Sequence, residues 1–276
     1  MTILVAGATG NAGAAVVRAL ADAGEDVRAL VREGGADLPA GAEPAEADLG
    51  RAETVERHLD GVSAVFMLSG YDGLDQSLPA MRQAGVRRVV LLSSSAAPTG
   101  DLDNAVARYH ILSERAVRDS GLGWTFLQPN SFMSNAYRWL PQLRRGDVIR
   151  LPFADVRIAM IHPDDLGAVA AAALSSGEHE GSAYRLSGPR ALRPEEQVAI
   201  LAEATGRPIR FEAHSNEEAR AEMEGAMPKA YVDAFFEFFA EGTVDETTVH
   251  STVADVTGRE PLGFEQWAAA HADDFR

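Results

Sequence analysis

Three glycines near the start of the chain, Gly7, Gly10 and Gly13, stand three residues apart. They follow a short apolar run at residues 3–6. They open a segment, 11–23, whose Val16, Ala19, Leu20 and Ala23 recur at helical spacing. A buried strand that turns into a helix through glycines brings bare backbone amides and the positive end of a helix dipole to one point. Pyrophosphate fits such a point. One glycine permits the tight turn, another admits the phosphate to the backbone, and a third lets helix and strand pack closely. Gly7, Thr9, Gly10, Asn11, Ala12 and Gly13 are therefore the first candidates for holding a dinucleotide.

The next hundred residues repeat the alternation. Strands are expected at 27–31, 43–47, 62–68, 88–92 and 124–127, with helices at 54–59, 74–84 and 103–120 between them. Strands alternating with helices predict right-handed crossovers and a parallel sheet. Six strands of this kind suit a doubly wound α/β sheet of the Rossmann type, which binds ligands outside the carboxyl ends of its strands. Those ends supply further cofactor candidates: Leu68, Ser69 and Gly70 after the fourth strand, Ser93 and Ser94 after the fifth, and Pro129 after the sixth. Arg32, at the end of the second strand, selects between cofactors. An acid there binds a ribose 2′-hydroxyl, whereas an arginine fork suits a 2′-phosphate. Arg32 favours NADP(H), although Glu33 follows it, and a solvated loop arginine is the other reading. Asp48 and Leu49, after the third strand, suit an adenine contact; Asp48 equally suits a cap for a helix starting near Arg51.

Beyond residue 130 the alternation weakens. Helices are expected at 132–140, 164–174, 194–204, 217–224, 229–240 and 264–272, with strands at 183–186 and 208–211. The expected organisation is a dinucleotide-binding part, 1–130, and a smaller, mainly helical lobe, 131–276, that covers the substrate and packs as one unit. Asp164 and Asp165 read as helix caps. Phe235, Phe236, Phe238 and Phe239 read as a packing stripe. Phe132, Met133, Tyr137, Trp139 and Phe153 offer apolar surface for an aromatic substrate.

The ordered series of motifs resembles the atypical short-chain dehydrogenase/reductases, in particular their NmrA-like, quinone-reductase-like branch. The resemblance rests on the glycine turn, on Ala29-Leu30-Val31-Arg32 and on Val90-Leu91-Leu92-Ser93-Ser94. It continues through Glu114 with Ser120-Gly121-Leu122, Trp124 to Pro129, Ile161-His162-Pro163-Asp164-Asp165 and Tyr184 to Pro189. It spans nearly the whole chain. It implies an NADP(H)-dependent reductase with a small apolar substrate.

The same resemblance implies a Tyr-x-x-x-Lys pair on the helix after the fifth strand, in which the tyrosine exchanges a proton and the lysine lowers its pKa. Here composition decides. Lys229 is the only lysine among 25 bases, and it lies more than a hundred residues from that helix. Reading the helix from Tyr109 gives Tyr-x-x-x-Ser113. Anchoring it on Glu114 and Ser120-Gly121 puts Val106 at the tyrosine position and His110 at the lysine position. The second register uses two anchors and is preferred. Tyr109, His110 and Tyr71, the last just beyond the fourth strand, are the catalytic candidates; Ser94 and Ser95 are weaker donors.

Charge and composition exclude other classes. The net charge is −16, from 41 acids and 25 bases. Residues 1–150 carry 18 acids and 15 bases, so 23 acids and 10 bases fall in the remainder. Such a field repels nucleic acid and anionic membranes, while its weakness in the first half leaves room for a phosphate-bearing cofactor. With no cysteine, no thiolate metal site exists, and the histidines show no metal-ligand spacing. No metal is expected. Neither a leader nor a membrane span is visible, so a cytoplasmic protein is expected, with a homodimer allowed. The leading expectation is an NADPH-dependent reductase of a quinone-, enone- or carbonyl-type substrate. The alternative is a non-catalytic NADP(H)-binding sensor acting through a protein partner, which the missing Tyr-Lys pair motivates.

Overall fold

The computed structural model describes residues 1–32 and 38–276. Glu33 lies outside them. Among the described residues nine strands run in chain order: β1 Thr2–Val5, β2 Asp26–Val31, β3 Ala42–Glu46, β4 Val62–Leu68, β5 Arg88–Leu92, β6 Gly123–Pro129, β7 Val148–Leu151, β8 Ser182–Leu186 and β9 Arg210–Ala213. Seven form one sheet in the order β3-β2-β1-β4-β5-β6-β8, every pair parallel. The expected doubly wound α/β sheet is borne out.

The two-residue strand period explains how both faces are buried. Ile3, Val5, Phe66 and Val90 point to one face, where Val16, Val17 and Leu20 of the helix Asn11–Asp22 and Leu166 and Val169 of the helix Pro163–Ser175 cover them. Leu4, Val65, Met67, Val89 and Leu91 point to the other, under Leu78, Met81 and Val117. Strand order reverses between β1 and β4, and the crevice at their carboxyl ends is where ligands settle on such sheets.

Residues after 130 go to two places. The helix Pro163–Ser175 and β8 return to the sheet, where β8 pairs with β6 from Thr125↔Ser182 to Pro129↔Leu186. Gly167 makes that return possible: a Cβ there would stand 2.6 Å from the Ala15 carbonyl oxygen, so only glycine lets the two helices approach so closely. Much of the remainder builds a cap with its own core around Met133, Trp139, Phe264 and Trp267, together with the two-stranded parallel sheet of β7 and β9. The segment expected as one helix at 132–140 is instead a 3₁₀ stretch, Met133–Trp139, followed by a short α-helix, Leu140–Leu143.

Two more expectations change. His162, not Asp164 or Asp165, caps the helix Pro163–Ser175: its Nδ1 accepts the Asp164 amide at 3.1 Å. Asp165 is fully buried, where it accepts the Leu262 amide at 2.7 Å and the Arg259 guanidinium at 2.5 Å. It ties the sheet layer to the C-terminal segment. The phenylalanine stripe of the helix Lys229–Phe239 packs as expected, against the helix Ala105–Asp119 and against Phe153.

Candidate cofactor and substrate site

The glycine turn sits at the crevice. Gly7 has φ of 65° and Gly10 is the cap residue of the helix Asn11–Asp22, which has no side-chain cap and no acid in its first turn. The amides at this end are therefore available to an anion. A Cβ on Gly13 would lie 2.1 Å from the Gly7 carbonyl oxygen, and one on Gly7 would lie 2.7 Å from Leu68 Cδ1. The three glycines and Leu68 thus form a cradle shaped by the absence of side chains. Thr9, Asn11 and Ala12 lie on its exposed or half-buried rim.

Arg32 is exposed, one residue beyond β2. The neighbouring Ala47 amide bonds the Val31 carbonyl at 2.9 Å, which brings Asp48 alongside. Asp48 does not cap a helix. Its Oδ1 accepts the Gly50 amide at 3.0 Å and closes a turn, while Leu49 is buried in the core. Tyr71 stands in the field of both charges. Burial raises its pKa most; the Arg32 guanidinium lowers it and the Asp48 carboxylate raises it. Arg32, Asp48 and Tyr71 are therefore near enough to one another for their charges to be felt.

Side chains at the ends of β4, β5 and β6 are mostly engaged with the protein. Ser69 Oγ donates to the Leu92 carbonyl at 2.7 Å, and the Gly70 amide, at φ of 85°, donates to Ser113 Oγ at 3.1 Å. Ser93 Oγ donates to Glu114 at 2.5 Å, so Ser93 offers a ligand only backbone. Ser94 Oγ accepts the Ala96 amide at 3.1 Å, as an ordinary turn. Ser95 donates to Glu246 at 2.7 Å, as does Ser131. Glu246 is buried, which raises its pKa, and it straps the C-terminal segment over the ends of β5 and β6. Sequence reasoning gave no weight to Glu246 because its partners are 115 and 151 residues away. Pro129 is buried, its carbonyl bound to the Ser95 amide.

His110 behaves differently from these serines. Its Nδ1 is buried and has no hydrogen-bond partner among the described residues. Burial lowers its pKa to about 4, so it is a neutral imidazole at physiological pH. A buried polar atom without a partner costs stability unless a ligand satisfies it. Tyr109 packs beside it, ring centroids 4.2 Å apart, and lies against Gly70; burial raises its pKa. Lys229 is elsewhere, its Nζ bound to Asp233 at 2.6 Å on the helix Lys229–Phe239. The depressed histidine has a measurable consequence. Above pH 6.5 both folded and unfolded chains hold it neutral. Between 6.5 and about 4 only the unfolded chain takes the proton, so stability falls as pH falls through that window. Urea melts should show His110→Gln losing about 3 kcal/mol less than wild type between pH 7 and pH 4; parallel losses would mean that His110 is accessible to protons in the fold.

One cavity of about 180 Å³ adjoins the glycine turn. It lies between the first turns of the helices Asn11–Asp22 and Pro163–Ser175, with Thr9, Ser134, Tyr137, His162, Trp267 and His271 among its lining residues. Sequence reasoning passed over Ser134 and His162 as site residues. The signal for His162 was present: a proline at residue 163 marks a helix start and makes the preceding residue the cap.

The cradle, the uncapped helix end and the orphaned imidazole all fit a dinucleotide. Comparison with known proteins agrees. A family described as NAD(P)H-binding matches residues 7–176. The chain belongs to that family. It is 38% identical to a (4-alkanoyl-5-oxo-2,5-dihydrofuran-3-yl)methyl phosphate reductase of Streptomyces griseus, over 99% of each chain. It is 35% identical to an NAD(P)H azoreductase of Xenophilus azovorans, again over 99% of each. Among solved structures, an NADPH-dependent quinone oxidoreductase of Escherichia coli complexed with NADPH superposes with a TM-score of 0.78 at 22% identity, covering 98% of this chain and 99% of its own. That likeness shows the fold. The resemblance to the atypical short-chain reductases is borne out, and so is the enzyme expectation: the chain is an NAD(P)H-dependent oxidoreductase. The sensor alternative is not favoured. No helix among the described residues is long and apolar enough to cross a membrane.

Proposed function

We propose that this family member is an NADPH-preferring reductase of a small, apolar, conjugated acceptor of the quinone or enone type. The observation that carries the reading is the buried, unpartnered Nδ1 of the neutral, half-buried His110, the residue that the two-anchor register of the sequence sets at the lysine position of the short-chain reductases. NADPH, when bound, supplies a hydride. Arg32 holds the 2′-phosphate, the amides of the Gly7–Gly13 turn hold the pyrophosphate, and His110 hydrogen-bonds the nicotinamide ribose without adding charge.

Such a site has no activated tyrosine, because no lysine is at hand. Tyr109 and Tyr71 both have raised pKa values, which makes them weaker acids. The chemistry must therefore suit a weak donor. A quinone or an enone meets that condition, since its reduced form is a stabilised phenolate or enolate that takes its proton late. Two relatives support the choice. The Streptomyces griseus protein is named for a methyl phosphate of an acyl-dihydrofuranone; the phosphate is charged, but the ring carries a double bond conjugated to carbonyl groups, and that conjugated acceptor is the part in common. The Xenophilus azovorans protein is named for azo compounds, whose N=N bond is likewise a conjugated acceptor.

The test is NADPH oxidation against a panel of quinones, enones, saturated ketones and azo dyes. Turnover of quinones or enones, with saturated ketones left unreduced, supports the reading. Tight NADPH binding with no turnover on any member of the panel overturns it.

A further inference from the structure

Glu114 is a buried carboxyl group that the proposed chemistry does not use. Its Oε1 accepts two hydrogen bonds from neighbouring strands, one from Ser93 Oγ at 2.5 Å and one from Gln128 Nε2 at 2.9 Å. Ser93 and Gln128 stand at the carboxyl ends of β5 and β6, the rim on which ligands of such sheets lie. Ser113, the residue before Glu114, is buried as well, and its Oγ accepts the Gly70 amide at 3.1 Å, just past β4. Ser113 and Glu114 thus fasten the middle of the helix Ala105–Asp119 to the ends of β4, β5 and β6. One turn further on, the Arg118 guanidinium comes within 3.9 Å of Glu114 Oε2 and lies 5.0 Å from the ring centres of both Trp124 and Phe126 on β6. His110 lies one turn before Glu114, on the same face of the helix. Its ring leans on Tyr109, and its Nδ1 has no hydrogen bond to hold it among the described residues. Where the imidazole points therefore depends on where the helix is held.

We infer that Glu114 is the positioning residue for His110: by tying the helix to the ends of β5 and β6, it holds the imidazole where the nicotinamide ribose arrives and so sets how tightly NADPH binds. The inference rests on the ribose contact proposed for His110 and extends it to a residue that touches no ligand. Glu114 acts by place and not by field. Burial alone accounts for the lowered pKa of His110, with no contribution from a neighbouring charge. What the site needs at residue 114 is an oxygen that accepts from both strands, because losing it leaves a buried hydroxyl and a buried amide unpaired and frees the helix to shift. Glutamine keeps such an oxygen and alanine does not.

The test is a double-mutant cycle read by NADPH fluorescence titration, with thermal melts alongside. His110→Phe, which keeps a flat ring and removes both nitrogens, should weaken NADPH about tenfold, the worth of one hydrogen bond. Glu114→Ala should weaken it by about the same factor. The double variant should bind no more weakly than either single one, because a contact already lost has nothing left to position. Glu114→Gln should stay within about twofold of wild type. If Glu114→Ala does not fold, Ser93→Ala carries the same cycle: it removes one of the two bonds to Oε1, and a loss of about threefold, again absent in the His110→Phe background, is expected. Additive losses overturn the inference, since Glu114 then acts on binding through the fold at large. So does Glu114→Ala, folded, with wild-type affinity, or Glu114→Gln as weak as Glu114→Ala. Wild-type affinity in His110→Phe would remove the ribose contact and the inference with it. Non-additive losses in a protein that reduces no acceptor would remove the reductase reading and still support the positioning role.

Discussion

Gly13→Ala is expected to cost at least a hundredfold in NADPH affinity, roughly 3 kcal/mol, and to lower the melting temperature as well. The added methyl would stand 2.1 Å from the Gly7 carbonyl oxygen, 2.5 Å from the Gly7 carbonyl carbon and 3.0 Å from the Ala8 nitrogen. All three are backbone atoms held by the strand β1 and by the Gly10 amide, which donates to the Gly7 carbonyl at 2.9 Å. No side chain can swing aside, so the turn must open. Opening it separates the helix end from the strand end, and the anion cradle goes with it. The other two glycines set the comparison. A methyl on Gly7 meets a movable leucine at 2.7 Å but must also adopt φ of 65°, whereas one on Gly10 meets only the Gly7 oxygen at 3.3 Å. The expected order of damage is Gly13, then Gly7, then Gly10. NADPH fluorescence titration with thermal melts checks it, and Gly13→Ala binding NADPH within tenfold of wild type would show that the turn is more pliant than its contacts imply.

The second large effect is expected at Arg32→Glu. Each charge-assisted hydrogen bond to a phosphate contributes about 1.5–3 kcal/mol, and the new carboxylate repels the 2′-phosphate besides. NADPH should bind about a hundredfold more weakly. NADH, whose ribose hydroxyls can donate to Glu, should bind as well as before or better. Tyr71 supplies an internal check. The Arg32 charge now lowers its pKa, and replacing that charge with an acid should raise it further. Ultraviolet titration of the variant and equilibrium binding of both cofactors measure the two effects. Equal losses for NADPH and NADH would remove the 2′-phosphate role from Arg32.

The part of the site that was legible in the sequence was the part made by neighbours in the chain. The Gly7–Gly13 turn is one strand end and one helix start, and its shape depends on glycine lacking a Cβ. The strands Val62–Leu68 and Arg88–Leu92 stand where their apolar runs predicted, because burial on both faces demands nearly continuous apolar residues. Local reading failed at Val148–Leu151, a four-residue strand that exists through its pairing with Arg210–Ala213. Asp165 looked like a cap, since carboxylates favour helix starts. In the fold it is a buried anchor for a segment almost a hundred residues downstream. The serines after β5 looked alike, yet Ser93 and Ser95 turned to different buried carboxylates, Glu114 and Glu246.

The sequence by itself determined the sheet, the dinucleotide cradle, the arginine at its far end and the lack of a lysine for the usual proton relay. These follow from periodicity, backbone sterics and composition, which act over a few residues or over the whole chain at once. The tertiary structure alone decided which polar atoms lack partners. His110 Nδ1 and Ser134 Oγ are functional candidates because distant segments bury them without satisfying them, whereas the hydroxyls of Ser93 and Ser95 are matched by the carboxylates of such segments. An unsatisfied buried donor is a relation among residues far apart in the chain, and only packing brings those residues together.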